Sequence, residues 1–140
     1  MADRVLLVDD EKDFTDVLAQ RMETRGVVVD VAPTGVDALA KINEKTYDAI
    51  ILDLLMPGID GIETCRRMLE KNPDLQIILL SGHATVDKSV EAIKLGAMDF
   101  LEKPADIQKL MERIGSAKTN KMLLVEKKNE ERIRDILRSK

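Results

Sequence analysis

Residues 49–58 read AIILDLLMPG, an apolar run that contains a single acid, Asp53. The aliphatic residues before Asp53 predict a strand over residues 48–52 that is buried on both faces, as in a parallel sheet. Met56-Pro57-Gly58 predicts a turn shortly after that strand. A lone carboxylate is costly to bury, because desolvation disfavours its charged form. Asp53 therefore needs a compensating partner at the end of its strand.

The pattern of a short apolar strand followed by polar residues recurs along the chain. Predicted strands cover residues 4–8, 27–31, 48–52, 76–80 and 99–101, and the segments between them carry apolar residues at helical spacing. Five strands that alternate with five helices indicate an α/β domain. We expect an open, doubly wound parallel sheet with helices on both faces. In the fourth helix, predicted over Val86–Leu95, the expected apolar residues are Val86, Val90, Ile93 and Ala97.

The last segment of the chain, residues 115–140, contains no predicted strand. Residues 118–140 hold eight Lys/Arg and four Asp/Glu. Sparse apolar residues interrupt this charged background: Met122, Val125, Ile133, Ile136 and Leu137. We expect an extended last helix with a break near Thr119-Asn120, whose apolar positions pack either on the domain or on a partner chain. The predicted organisation is a domain over residues 1–118 and a charged helical extension or linker over 119–140.

Composition narrows the setting in which the chain acts. Hydrophobic residues make up 44% and charged residues 34% of the 140 residues, as in globular domains. No apolar run approaches the roughly 18 residues of a membrane helix, so no membrane association is expected. One cysteine, Cys65, excludes an internal disulfide and, with one histidine, a soft-metal cluster. These features predict a reduced, cytoplasmic setting. No aromatic residue interleaves the basic tail, so direct nucleic-acid binding is not expected.

The carboxyl ends of the predicted strands carry the polar residues that could do chemistry. Asp9 and Asp10 follow strand one, Asp53 follows strand three, Ser81 follows strand four, and Lys103 follows strand five. Ligands bind at this edge of an open parallel sheet. Three carboxylates repel one another unless a cation shares the site, and hard oxygen ligands favour Mg²⁺. Together with Lys103, such a cleft suits a dianionic group, for which a phosphoryl is the natural candidate.

Four motifs stand in order at these strand ends. They are VDD at residues 8–10, LDLLMPGIDG at 52–61, LLSGH at 79–83 and GAMDFLEKP at 96–104. Over residues 3–118 the sequence thereby resembles the receiver domain of two-component response regulators. The resemblance implies a flavodoxin-like fold with strand order 2-1-3-4-5. It also implies a phosphoacceptor switch that catalyses only its own phosphorylation and dephosphorylation, and not the turnover of a metabolite.

The resemblance implies a role for each residue of the cleft. Asp53 would accept a phosphoryl group from the phosphohistidine of a sensor histidine kinase or from a small phosphodonor. Asp10, Asp53 and the backbone carbonyl of Leu55 would hold Mg²⁺, and Asp9 would assist through a water molecule. Lys103 would bind a phosphoryl oxygen.

Two further residues would form the switch that the resemblance implies. Ser81, where threonine is commoner, would turn its hydroxyl onto the phosphoryl group. Phe100, where tyrosine is commoner, would then move inward and change the surface of helix four, strand five and helix five. That surface would control a downstream effector protein or a homodimer. The family also implies a cis Lys103–Pro104 bond, and a phosphoryl lifetime set by Leu55 and His83.

Two other functions fit an acid at the end of a parallel strand. One is a Mg²⁺-dependent phosphohydrolase that works through an aspartyl phosphate. Such enzymes of the haloacid dehalogenase type usually place a second Asp two residues after the nucleophile, where this chain has Leu55. The other is a flavodoxin-like carrier, but no Ser/Thr/Gly phosphate loop follows strand one and few aromatic residues are available to stack a flavin.

Overall fold

Strands and helices alternate throughout the computed structural model, which describes residues 3–82 and 86–139. The elements are β1 Arg4–Val8, α1 Lys12–Thr24, β2 Val28–Ala32, α2 Gly35–Glu44, β3 Ala49–Asp53, α3 Gly61–Lys71, β4 Ile77–Ser81, α4 Val86–Leu95, β5 Asp99–Glu102 and α5 Ile107–Arg138. The strands form one parallel sheet in the order β2-β1-β3-β4-β5. The predicted α/β class, doubly wound parallel sheet and flavodoxin-like strand order are thereby confirmed.

The central strands β1, β3 and β4 are buried on both faces of the sheet, and the alternation of their side chains divides the core in two. Leu6, Ile50 and Leu52 face the layer of α2, α3 and α4, where they pack with residues such as Met68. The neighbouring strand residues face the layer of α1 and α5; these are Val5, Leu7, Ile51, Ile78 and Leu80. The apolar runs of the central strands β1, β3 and β4 are therefore buried on both sides, whereas the edge strand β2 is partly exposed and carries Asp30 at its centre.

The strand register brings the carboxyl ends of the central strands to one edge. Strands β2, β3 and β4 each begin and end one residue later than predicted, and β5 is one residue longer. Asp53 pairs with Leu80 in the ladder between β3 and β4, and Ser81 pairs with Glu102 between β4 and β5. Asp53 and Ser81 are therefore the last residues of their strands, because parallel pairing continues onto them.

The buried face of α4 differs from the predicted one. Ser89 and Ala92 are fully buried, whereas Val90 and Ile93 are 47% and 39% exposed. Consecutive helical residues point about 100° apart, so the small side chains lie on the core side and the larger apolar ones beside them face outward. Ala97, just after the helix, is buried as expected.

The last helix, α5, runs for 32 residues without interruption, so the expected break near Thr119-Asn120 is wrong. The Thr119 hydroxyl donates to the carbonyl of Gly115 at 3.1 Å, a contact compatible with helical backbone. The Asn120 amide donates to Oε1 of Gln76 at 3.3 Å. The predicted boundary between residues 118 and 119 falls inside this helix and stays a prediction. Among the described helices, α5 included, none has both the length and the apolar character needed to cross a membrane.

Candidate functional site

The carboxyl edge of the sheet brings together four of the residues singled out from the sequence. Asp9 follows β1 and prolongs its pairing with β2, because its N–H donates to the carbonyl of Ala32 at 3.2 Å. Asp53 and Ser81 end β3 and β4. Lys103 follows β5, and its N–H donates to the carbonyl of Ser81 at 2.9 Å. Backbone pairing between neighbouring strands therefore sets the positions of these side chains.

The ammonium group of Lys103 lies at the centre of this cluster. Its Nζ is 2.8 Å from Oδ2 of Asp9, 3.2 Å from Oε1 of Glu11 and 3.6 Å from Oδ2 of Asp53. It also lies 4.4 Å from the centroid of the Phe14 ring, within the range of a cation–π contact. One cation thus faces three carboxylates, which supplies the partner that buried Asp53 requires.

Three carboxylates converge closely enough to share a metal ion. One oxygen each from Asp9, Asp10 and Asp53 lies within 4.8 Å of the others. Asp9 and Asp53 are buried, whereas Asp10 is exposed, so the cluster is open to solvent on one side. Hard oxygen ligands with room for water suit Mg²⁺, and the donor set therefore fits the expected ion. The Leu55 carbonyl and the water-mediated role of Asp9 stay predictions.

Backbone donors fix the orientation of the two buried carboxylates. Oδ1 of Asp9 accepts the N–H of Glu11 at 3.0 Å, which leaves Oδ2 for Lys103. Oδ1 of Asp53 accepts the N–H of Leu55 at 3.3 Å. Each carboxylate is held by the backbone two residues further along the chain, as in an Asx turn. These local backbone contacts therefore add to strand pairing in orienting both acids.

The electrostatics of the site raise the pKa of Asp53 to about 6. Burial is the largest cause and the negative charge of Asp9 the next, while Lys103 and the Leu55 N–H partly offset them. Burial also pulls the pKa of Lys103 down, but the hydrogen bond and charge of Asp9, the charge of Asp53 and the hydrogen bond to Glu11 together raise this pKa above its usual value. At neutral pH the cleft therefore presents a mainly ionised Asp53 beside a charged ammonium group.

The remaining predicted residues surround this centre. Ser81 is buried, and Phe100 on β5 is partly buried against the core layer of α2, α3 and α4. Leu55 is 52% exposed, so its side chain borders solvent beside Asp53. The Lys103–Pro104 peptide bond is cis, as expected. His83, predicted to influence the phosphoryl lifetime, lies outside the described residues.

Two contacts of Lys103 were not predicted from the sequence. Glu11 extends the acidic pair to three consecutive acids, a signal that could have suggested a further contact with the lysine. Phe14 on α1 packs against the core layer of α1 and α5, and its ring also lies beneath Lys103. Both residues contact the ammonium group in addition to Asp9 and Asp53.

Gly61 is a further residue that supports the site and that sequence reasoning missed. A Cβ atom at this position would lie 2.4 Å from the carbonyl oxygen of Asp53 and 2.4 Å from Cα of Leu54. The Gly61 N–H donates to the carbonyl of Leu54 at 3.1 Å. The absence of a side chain thus allows α3 to begin directly against the end of β3.

Comparisons with known proteins agree with one another. The family model described as the response regulator receiver domain matches residues 5–115. The chain is 35% identical over 113 residues to the transcriptional regulatory protein ZraR of Klebsiella oxytoca, covering 81% of the chain and 26% of that protein. It is 33% identical over 128 residues to the C4-dicarboxylate transport transcriptional regulatory protein DctD of Rhizobium meliloti, covering 91% of the chain and 28% of DctD.

A solved structure has the same fold over nearly its whole length. The response regulator receiver domain protein of Clostridium thermocellum superposes with a TM-score of 0.84 at 30% identity, covering 89% of this chain and 99% of that one. The chain thus matches a solved domain almost end to end, whereas it spans only about a quarter of the length of ZraR and DctD.

Proposed function

The chain belongs to the response regulator receiver domain family, and from that premise we propose that it is a phosphorylation-controlled switch with Asp53 as its phosphoacceptor. One observation carries the proposal. The Asp53 carboxylate ends β3 within 3.6 Å of the Lys103 ammonium and shares an acidic cluster with Asp9 and Asp10. An ionised oxygen nucleophile beside a fixed cation is the arrangement that phosphoryl transfer requires.

The proposed chemistry moves one phosphoryl group onto and off Asp53. A carboxylate oxygen attacks the phosphorus of a sensor kinase phosphohistidine, the P–N bond breaks, and the imidazole leaves with its electron pair. Water later attacks the same phosphorus, which releases inorganic phosphate and restores the carboxylate. Lys103 would bind a phosphoryl oxygen through a charge-assisted hydrogen bond. Because the pKa of Asp53 is about 6, the nucleophile is mainly deprotonated at neutral pH.

The acidic cluster would hold Mg²⁺ during these steps. Asp10, Asp53 and the Leu55 carbonyl would bind it, and Asp9 would contribute through water. When bound, the ion supplies positive charge that offsets the carboxylates and the phosphoryl oxygens. Lys103, which now contacts Asp9 and Asp53, supplies the second positive charge of the cleft.

The output of the switch is proposed to pass through Ser81 and Phe100. The Ser81 hydroxyl would turn toward the phosphoryl group, and Phe100 on β5 would move inward. This change would alter the α4-β5-α5 surface, on which Val90 and Ile93 of α4 already expose apolar area. A downstream effector protein or a second copy of the chain would bind there. A cytoplasmic location, where a histidine kinase presents its phosphohistidine, is part of the proposal.

The proposal is tested by incubating the purified chain with a small acyl phosphate donor, with and without Mg²⁺, and measuring its intact mass. We expect a gain of one phosphoryl group that requires Mg²⁺ and is absent in Asp53→Ala. Asp16→Ala, which removes an exposed acid from α1, is the matched control and should label like the wild type. Labelling that persists in Asp53→Ala would overturn the assignment.

The same preparation separates the switch from a phosphohydrolase. Position 55 carries an exposed leucine, which cannot act as the general acid for a leaving alcohol. We therefore expect no sustained hydrolysis of a phosphomonoester such as p-nitrophenyl phosphate. Rapid turnover that is lost in Asp53→Ala would instead support the aspartyl-phosphate phosphohydrolase.

A further inference from the structure

The amino edge of the sheet, opposite the candidate site, makes a series of ion pairs with α5. Three lysines of this helix each meet an aspartate from a different loop. The pairs are Lys118–Asp3 at 2.7 Å, Lys121–Asp48 at 3.6 Å and Lys128–Asp74. We call these six residues the lysine clasp. The Lys121 ammonium also donates to the carbonyl of Tyr47 at 3.1 Å.

The geometry of the clasp follows from the parallel sheet. Asp3 and Asp48 directly precede β1 and β3, and Asp74 lies three residues before β4. The amino ends of parallel strands share one edge, so acids from three distant parts of the chain become neighbours. Lysines spaced i, i+3 and i+10 lie on one side of an α-helix, and that side faces the three acids.

Apolar burial does not continue along this part of α5. Leu110, Ile114 and Ala117 are fully buried, but within residues 118–139 no side chain is buried to that degree. Leu124 is partly buried beside a cavity of about 250 Å³, whose lining includes Ile42 and Leu75. Packing beneath the helix is therefore incomplete, and charge pairing is the main interaction available between residues 118–128 and the domain.

We propose that the amino edge of the sheet is a docking surface for a lysine-bearing helix, occupied by residues 118–128 of the same chain. The lysine clasp holds this segment, so the folded unit continues past residue 115, where the family match ends, to Lys128. Docking fixes the direction in which the rest of α5 leaves the domain. Met122 and Val125 stay 58% and 53% exposed in the docked helix.

Hydrogen exchange of the full chain tests the docking. In Lys118→Glu/Lys121→Glu/Lys128→Glu, we expect the backbone amides of residues 119–128 to exchange about tenfold faster or more than in the wild type. The matched control is Lys127→Glu/Arg132→Glu/Arg134→Glu, which changes the same charge on the same helix outside the clasp. The control should retain wild-type protection at residues 119–128.

Reversing the charges on both sides of the ion pairs distinguishes docking from a general effect of altered charge on helix stability. Adding Asp3→Lys, Asp48→Lys and Asp74→Lys to the clasp variant should restore exchange at residues 119–128 to within about twofold of the wild type. Raising the salt concentration of the wild type to 1 M should speed exchange in the same segment, because exposed ion pairs are screened.

Three results would overturn the proposal. The first is unchanged exchange in the clasp variant, and the second is an equal increase in the control variant. The third is protection of residues 119–128 that declines when the wild type is diluted about 100-fold, since protection within one chain does not depend on concentration. That last result would assign the docked helix to a second copy of the chain.

Discussion

At the scale of single residues, the buried acid in AIILDLLMPG, Asp53, is tolerated because a backbone N–H and an ammonium group lie beside its carboxylate. Asp53 is only 4% exposed, yet its carboxylate accepts the Leu55 N–H and lies near the Lys103 ammonium. Asp9 has the opposite effect, since its charge adds to burial in raising the Asp53 pKa. The carboxylates of the site outnumber its one ammonium group. A second cation such as Mg²⁺ would therefore reduce the repulsion between the carboxylates.

This excess of carboxylates gives a pH dependence for the metal-free protein. The pKa of Asp53 is about 6 in the folded protein, against 3.8 for an unperturbed aspartate. Folded Asp53 therefore binds its proton more tightly than the unfolded chain does, so its contribution to the free energy of unfolding falls as the pH rises through this window. Denaturant unfolding without Mg²⁺ should show the wild type losing stability relative to Asp53→Asn as the pH rises from about 4, with the loss levelling off about one pH unit above the folded-state pKa of about 6. A constant difference from pH 4 to 7 would contradict the account.

Substitutions at two neighbouring leucines can separate an effect on the phosphoryl lifetime from an effect on stability. Leu55 is exposed beside Asp53, whereas Leu54 is fully buried. Leu55→Asn should change the free energy of unfolding by less than about 0.5 kcal/mol. It should shorten the phosphoryl half-life, because a side-chain amide can orient an attacking water. Leu54→Asn should cost about 3 kcal/mol or more of stability, since it buries an amide in the core. Equal half-lives for wild type and Leu55→Asn would reject this role.

At the scale of elements, local patterns predicted the strands better than the helices. Short apolar runs bounded by turn signals favour strands over helices, and the strand limits were wrong by one residue at most. The buried face of α4 was mispredicted because Ser89 and Ala92 carry little apolar signal, although their size lets the helix approach the core. The expected break in α5 at Thr119-Asn120 was wrong because helix propensity is weak compared with the contacts that hold both ends of the segment.

The junction between β3 and α3 gives a prediction at this scale. Gly61→Ala would place a methyl group against the backbone of Asp53 and Leu54, and we expect it to lower the free energy of unfolding by about 1–3 kcal/mol. Gly115→Ala is the control, because no atom lies within 4 Å of its added Cβ and it sits inside α5. That variant should gain up to about 1 kcal/mol. Urea unfolding measures both, and a neutral Gly61→Ala would show that α3 can move away from the site without cost.

At the scale of the whole molecule, the residues of the candidate site could be predicted from the sequence because the sheet topology brings them together. Parallel strands with right-handed connections bring all carboxyl ends to one edge, so Asp9, Asp53, Ser81 and Lys103 could be grouped without coordinates. Contacts between distant side chains could not be predicted in this way. The Lys103–Glu11 pair joins residues 92 apart, and the Lys128–Asp74 pair joins residues 54 apart. Neither pair has a local pattern, because each depends on where separate loops meet.

The central claim, that Asp53 accepts the phosphoryl group, is tested most directly by locating the modification. The chain is incubated with Mg²⁺ and a small acyl phosphate donor, treated with borohydride to reduce the acyl phosphate to an alcohol, and mapped by peptide mass spectrometry. We expect the reduced residue at position 53 and at no other acid, with no reduction when donor or Mg²⁺ is omitted. Reduction at Asp9, Asp10 or another carboxylate, with Asp53 unmodified, would contradict the account.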